Sequence, residues 1–562
     1  MNRQRLYRRR MKKGVDYGAW IASRDTPSEQ TIADWRQWTQ DHPDAPSVNL
    51  LLPLSARSDG ALAKRTIASI QEQIYGNWRL FITLDHEESL NLPVSDERVQ
   101  IVQSQDFSLT SAEGTWSTIL QAGDQLRPQS LLLMIQKALT QPDAKVVYAD
   151  EDVLDRNGRR SQHHFKPDWN YDFQLSTGYL GNAWLIKTDH LVASGGHDLR
   201  SNHASAIYDT TLRCIETLNT NQIIHVPHVL WHKASCHRDL DTSHTSSLQK
   251  HLNRMSLGAV ANSTDQGHLK VAYPVPTPAP LVSIVICTRN QYKLLRTCIE
   301  SIVNKTSYPA FEIIIVDNGS DEVRTLNYLQ ELPLRDKRIQ VIRDDSPFNY
   351  SALNNMAVEH AHGELVALLN NDIEVIDGDW LTEMVGHALR PEIGCVGAKL
   401  LYPNDTVQHA GVLVGSGPDA PNAIAAHYQR AIPKEAPGYA KRAIATHQLT
   451  AVTAACLVIR TSTFKTVGGL DSKNLAVTYN DVDFCLRVRE LGLHNVLTPH
   501  AVLYHHESVS RGRDASSKNI ERFLPELAYM QRRWGTRLHG DPCYNPNLSH
   551  QKPDFLLPGD LA

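Results

Sequence analysis

The chain has no apolar run near the roughly eighteen to twenty residues that would span a bilayer, and no secretory signal is expected. Its eight cysteines, at 214, 236, 287, 298, 395, 456, 485 and 543, form no CxxC pair. That argues against a zinc or disulfide framework and for reduced, packed thiols in a cytoplasmic protein. No charge of one sign dominates: a net charge of -4 gives no global reason to expect nucleic acid as a partner. No GxxxxGK[ST] loop is present. A literal GxGxxA does occur at Gly415, Gly417 and Ala420, but Pro418 interrupts it and no amphipathic helix clearly follows. This weakens a dinucleotide fingerprint, and with it a dehydrogenase reading.

What is present is a soluble α/β composition of 562 residues, 41% hydrophobic and 21% charged, with room for two or three domains. The first thirteen residues hold seven Lys or Arg and no acid. Such an arm is either solvated or weakly drawn to an anionic membrane face, so peripheral membrane contact is an expectation. VAYPVPTPAP (271–280) favours extended polyproline geometry and reads as a semi-rigid linker. On either side the pattern is the same. SVNLLLPLSAR, a helical stretch and WRLFITLD precede it; PLVSIVICTRN, a helical stretch and FEIIIVDNGS follow it. Near-continuous apolar strands alternating with a helix predict a parallel sheet covered on both faces.

The match extends further along the chain. Residues 69–85 and 301–317 each run seventeen residues from Ser to Asp. SGGHD (194–198) parallels VGGLD (467–471), and HVLWH (228–232) parallels AVLYH (501–505). These coincidences, in the same order, predict a duplicated α/β unit. The expected organisation is a basic arm and helical lead-in over 1–45, an α/β domain over 46–240 and a linker over 241–280. A second domain follows over 281–515, then a carboxy-terminal helix and tail over 516–562.

Ligands of open α/β sheets bind beyond the carboxyl ends of the strands. Thr288, Arg289 and Asn290, then Asp317, Asn318 and Gly319, then Asn370 to Asp372 all stand at such ends. In LVALLNNDIEVIDGDW (365–380) an uncharged run stops on Asn370, Asn371 and Asp372. A turn accounts for those residues, and so does a cation-diphosphate site.

SIVICTRN, IIIVDNGS, LLNNDIEV, VGGLD, YNDVDFCLR and YHHESVSRG, in this order, resemble a family 2 glycosyltransferase of the GT-A fold. The nearest flavour is the rhamnosyltransferase-like enzymes of bacterial surface-polysaccharide (O-antigen or capsule) assembly. VVYADEDVLD, FKPDWNYDFQLS and DPCYNPNLS resemble segments that accompany some of them. The resemblance implies two tandem GT-A (Rossmann-like, mostly parallel) domains and inverting transfer. The donor would be a nucleotide-diphosphate sugar and the acceptor a glycan or lipid-linked glycan, with Mn2+ or Mg2+ as cofactor.

Residue by residue, the resemblance implies that Asp372 and His505 hold the metal, with His506 the alternative if the register slips. Asn370 would be a neutral second contact at the cation. Asp481 would be the catalytic base and Asp483 its runner-up. Asp317 would contact the base or ribose of the donor, with Thr288, Asn290 and Asn354 nearby and Arg511 reaching the diphosphate. The first half departs from this pattern. Asp124 and His232 remain, but Ala122 and Gly123 replace the partner positions, and Ile207 or Tyr208 falls where the base would be, with Asp209 usable only after a shift. Three readings stay open: one active and one degenerate domain, two active domains making two linkages, or a non-catalytic sugar-binding scaffold.

Overall fold

Continuous apolar runs become strands buried along their length. The computed structural model describes residues 16–54, 60–84, 95–111, 114–155, 157–195, 204–234, 239–417, 423–506, 520–551 and 553–559. The basic arm and Arg511 lie outside the described residues. The first half forms a nine-stranded sheet from Val48–Leu54 (β1), Trp78–Leu84 (β2), Val99–Gln103 (β3), Trp116–Ile119 (β4), Gln125–Leu126 (β5), Val146–Leu154 (β6), Arg160–His164 (β7), Trp184–Lys187 (β8) and Ile223–Lys233 (β9). A hairpin follows, Val260–Ser263 (β10) with Leu269–Ala272 (β11).

The second half contributes Val282–Thr288 (β12), Phe311–Asp317 (β13), Ile339–Arg343 (β14), Leu365–Asn370 (β15), Ile373–Val375 (β16), Ile393–Leu401 (β17), Val407–His409 (β18), Val412–Val414 (β19), Ala425–His427 (β20), His447–Leu449 (β21), Cys456–Arg460 (β22) and His494–His505 (β23). Ten of these make one sheet, while β19 and β20 pair separately.

The two sheets share one strand order. The first runs β3-β2-β1-β4-β8-β6-β9-β5 with β7 on β6; the second runs β14-β13-β12-β15-β22-β17-β23-β16 with β18 on β17. Directions agree as well. In the first sheet the pairs β3–β2, β2–β1, β1–β4 and β6–β9 are parallel and the other neighbours antiparallel, and each counterpart pair in the second has the same sense. The sheets are therefore mixed rather than uniformly parallel. The first crossover helices match too. Gly60–Gln71 buries Ala63, Ile67 and Ile70, and Tyr292–Lys305 buries Leu295, Ile299 and Ile302. Both use the same four-then-three spacing of an amphipathic helix.

The stretch 241–280, expected as a linker, is largely folded. Thr242–Arg254 is a helix opened by an Asp241 capping box, and its Leu248 and Leu252 share a core with Ile207, Tyr208 and Leu212. Besides short connections, the proline-rich end remains irregular.

The halves are fused by buried polar contacts. Arg390 Nη1 pairs with Asp172 Oδ1 at 2.6 Å, both buried. Asn170 donates to Gln448 O at 2.8 Å and accepts from Gln448 N at 2.9 Å. Asn545, in DPCYNPNLS, donates to Asp150 Oδ2 and Lys166 O, each at 2.8 Å. Trp20, Phe165 and Val229 of the first half join the principal core of the second.

Candidate active site

Strand register brings the polar ends together. Thr288 pairs with Asp317 and Cys287 with Asn370, so the carboxyl ends of β12, β13 and β15 finish side by side. A cavity of about 670 Å³ opens beyond them, within the size of a small-ligand site. Asp372, His505 and Asp481 all line it, as do Thr288, Asn290 and Asn370.

Asp372 lies between β15 and β16, and β16 is clipped to the end of β23 by the pairing of Ile373 with His505. His505 Nε2 thereby stands 3.1 Å from Asp372 Oδ1 and 3.3 Å from Asn370 Nδ2. His505 Nδ1 lies 2.7 Å from Gln408 Oε1 on β18. An amide oxygen only accepts, so Nδ1 carries a proton, and in the neutral ring Nε2 is the nitrogen that keeps a lone pair beside the carboxylate. One nitrogen and one carboxylate oxygen converging in this way fit a divalent cation such as Mn2+, which accepts both donor types. Among the described residues no group of three or more His, Cys, Asp or Glu could hold a metal, so diphosphate and water would complete the shell.

His506, the alternative ligand, turns away to Glu374 at 3.0 Å. Asp483, the alternative base, is fully buried and paired with Arg487 at 2.7 Å, while Trp534 Nε1 donates to it at 3.0 Å. Asp481 is only half-buried and opens the helix Asn480–Glu490. Its Oδ1 accepts from Val482 N at 2.9 Å and its Oδ2 from Ala454 N at 3.2 Å, bonds that orient the carboxylate. The preceding turn is held from outside. Glu526, buried on the helix Ile520–Trp534, accepts the N–H groups of Val477 and Thr478, each at 2.9 Å. Tyr479 then takes a left-handed conformation, φ 60°, uncommon for a side chain of its size.

Other expected contacts are placed differently. Asp317 does not line the cavity. It pairs across the strands with Arg343, whose guanidinium engages Oδ2, and Oδ1 accepts from Ser320 N at 3.0 Å. Its neighbour Asn318 lines the wall instead. Asn354 is buried within its helix, donating to Tyr350 O at 2.7 Å, and Tyr350 and Leu353 face the cavity in its place. Asn290 reaches the wall, yet its side-chain oxygen already accepts from Asp321 N and Glu322 N at 3.0 and 2.9 Å. Thr288 Oγ1 accepts from Asn371 Nδ2 at 2.9 Å. Arg289 and Arg430 add positive charge at the rim. Of the GxGxxA stretch, Pro418 and Ala420 lie outside the described residues; a side chain at Gly415, φ 69°, would meet Leu538 O.

Residues 283–431 match the family model described as Glycosyl transferase family 2. Over those residues the chain is similar to family 2 glycosyl transferases. Thr288, Asn370, Asp372 and Gln408 lie within the matched residues; the fold brings Asp481 and His505 to the family 2 segment from beyond them. The chain is 39% identical over 543 residues to an uncharacterized protein of Sinorhizobium fredii, covering 92% of this chain and 59% of that one. It is 34% identical over 580 residues to the O-antigen biosynthesis protein RfbC of Myxococcus xanthus, covering 97% of this chain and 43% of that one. A shorter match, 32% over 106 residues, joins 19% of it to 30% of the putative glycosyltransferase EpsH of Bacillus subtilis. The chain thus spans about half the length of the two relatives that match nearly all of it.

Against the candidate site of the second half, the first half differs at each position. Gln125 pairs with His232 as Ile373 pairs with His505, so Asp124 corresponds to Asp372. Lys233 Nζ lies 2.9 Å from Asp124 Oδ1, and His232 Nδ1 lies 2.5 Å from Asp152. Asp209 pairs with Arg213 at 2.7 Å as Asp483 pairs with Arg487, which aligns buried Ile207 with Asp481. The acidic run on β6 is neither solvated nor open to substrate: Asp150 meets His225, Glu151 meets Lys166 and Asp152 meets Arg160, all buried or nearly so.

Proposed function

We propose that the chain is an inverting glycosyltransferase whose chemistry resides in the second half. It would move a sugar from a nucleotide-diphosphate donor to a hydroxyl of a growing glycan or lipid-linked acceptor in bacterial surface-polysaccharide synthesis. The observation that carries this reading is that Asp372, His505 and Asp481 line one cavity at the strand ends of a family 2 domain. The printed name of the Myxococcus relative, an O-antigen biosynthesis protein, supports the class of product.

In this reading Asp481 accepts the proton of the acceptor hydroxyl as its oxygen attacks the anomeric carbon and the bond to the diphosphate breaks. The Ala454 and Val482 N–H groups keep the carboxylate aimed. Asp372 and His505 would hold the divalent cation, which when bound offsets the charge gathering on the departing diphosphate. Arg289 and Arg430 draw the anionic donor to the rim. With one carboxylate base and no second nucleophile invoked, the anomeric centre inverts.

The first half is read as a degenerate GT-A-like partner. The common strand order of the two sheets supports descent by duplication, and Ile207 at the base position with Lys233 at Asp124 speaks against a second active centre. No helix among the described residues is long and apolar enough to cross a membrane; contact with a lipid-linked acceptor would rest on the basic arm.

The test is a panel of nucleotide sugars assayed with Mn2+, Mg2+ or chelator. Metal-dependent turnover that disappears in Asp372→Ala and yields the inverted anomer is the expected result. Turnover indifferent to both chelator and Asp372→Ala would sink the reading.

A further inference from the structure

Gln408 occupies an irregular position. Strand β18 pairs with β17 through Leu400 with His409 and Leu401 with Val407, so Gln408 is the extra residue of a β-bulge. Bulges re-aim side chains, often beside active sites. Here the buried amide is aimed at the ring of His505, with Oε1 2.7 Å from Nδ1.

That contact decides what the other ring nitrogen can do. Were Nε2 protonated, it would donate to Asp372 Oδ1 at 3.1 Å, and the pair would close on itself. In the neutral ring, with its one proton held on Nδ1 by Gln408, Nε2 and the carboxylate face each other as two electron-pair donors, a gap that a cation would fill. The first half keeps the same device with other parts. His232 Nδ1 is held by Asp152 Oδ1, a carboxylate that itself pairs with Arg160. In the first half the acceptor lies on β6, paired directly with β9, and in the second on β18, which pairs with β17 rather than with β23; in both it takes the same nitrogen.

We infer that Gln408 is a positioning residue that fixes the tautomer and orientation of His505 so that Nε2 can bind a divalent cation together with Asp372. This rests on the cation-binding reading of Asp372 and His505. Outer partners of ligating histidines typically contribute ten- to a hundredfold in metal affinity.

The test titrates the full chain with Mn2+ alone, following free Mn2+ by electron paramagnetic resonance, in wild type, Gln408→Met, Gln408→Glu and Asp372→Ala. Gln408→Met is expected to weaken Mn2+ binding about ten- to a hundredfold. Gln408→Glu, which keeps an acceptor, should lose much less affinity than Gln408→Met. A merely structural role would not be rescued by glutamate, nor spare donor KM at saturating Mn2+. If Gln408→Met fails to fold, Gln408→Asn, which withdraws the amide by one methylene, replaces it. Wild-type affinity in Gln408→Met (or in folded Gln408→Asn), alongside loss in Asp372→Ala, overturns the positioning role alone. Equal affinity in wild type and Asp372→Ala overturns the cation reading and the positioning role with it.

Discussion

Lys233 Nζ lies 2.9 Å from Asp124 Oδ1, so the first half satisfies with its own ammonium the carboxylate that corresponds to Asp372. Asn182 Nδ2 adds a bond to the same group at 2.7 Å. A carboxylate already neutralised and hydrogen-bonded has little left to offer a divalent cation.

The two halves should therefore respond oppositely to equivalent substitutions. Asp481→Asn is expected to lower kcat by about 10²- to 10⁴-fold, the usual worth of a positioned base, with donor KM little changed. Asp124→Asn and Asp209→Asn should leave kcat per folded molecule and the linkage of the product unaltered. A product that loses one of two linkages in Asp124→Asn would show a second active centre.

Much of the frame was legible because apolar periodicity reports burial directly. VSIVICT and FEIIIVD could only be covered strands, and the Ser-to-Asp repeats fall on corresponding segments of two sheets that share one strand order. The pairing of Asp372 with His505 followed from motif order, whereas cross-strand partners did not. Asp317 faces Arg343 on β14, and that ion pair takes it off the cavity wall. The acids of β6 find His225, Lys166 and Arg160 only in the fold, partners that lie far from them or out of pattern in the sequence. The helix Thr242–Arg254 hid inside an apparent linker because its buried face includes His244 and His251 besides two leucines. Gln408 left no signal, since a bulge is a property of two strands and not of one.

Metal and donor should bind interdependently. If Asp372 and His505 hold the cation as proposed, with no cluster of three His, Cys, Asp or Glu among the described residues, the diphosphate would supply remaining positions in the shell. Mn2+ is expected to bind at least about tenfold more tightly with saturating nucleoside diphosphate than without, and linkage requires the same factor in the reverse titration. Calorimetric titrations in both orders check this. Independent binding would mean that the cation and the diphosphate do not share a site.

Glu526 offers a way to loosen the base without touching it. Its carboxylate takes the N–H groups of Val477 and Thr478, just ahead of the left-handed Tyr479 and of Asp481. Glu526→Ala strands two backbone donors. The expected loss of stability is about 1–3 kcal/mol for each donor left buried and unpaired. The expected fall in kcat exceeds any change in metal affinity, because Asp372 and His505 are held by other strands. Urea melts and Mn2+ titration of the same variant separate the two effects, and equal losses in both would contradict the assignment.

Acid should weaken the fold through histidines that are buried neutral. Burial, with Arg442 adding to it, holds His447 down at about 3. Burial and Lys441 hold His268 at about 4, and burial holds His500 at about 3. An unfolded chain titrates these rings near 6.5. As pH falls below that value the unfolded state gains protons that the native state refuses, so stability drops by up to about 1.4 kcal/mol per pH unit for each ring. His225 works the other way. Burial pushes it down, but Asp150 and Asp168 lift it above its ordinary value, so its contribution is full below 6.5 and fades as pH rises. Three rings against one give a net loss on acidification. The urea midpoint is expected to fall between pH 6.5 and 4.5, and His447→Gln, which removes one titrating ring, should flatten that slope by about one proton. A midpoint that holds steady or rises over this range would show that these rings take up protons in the folded chain.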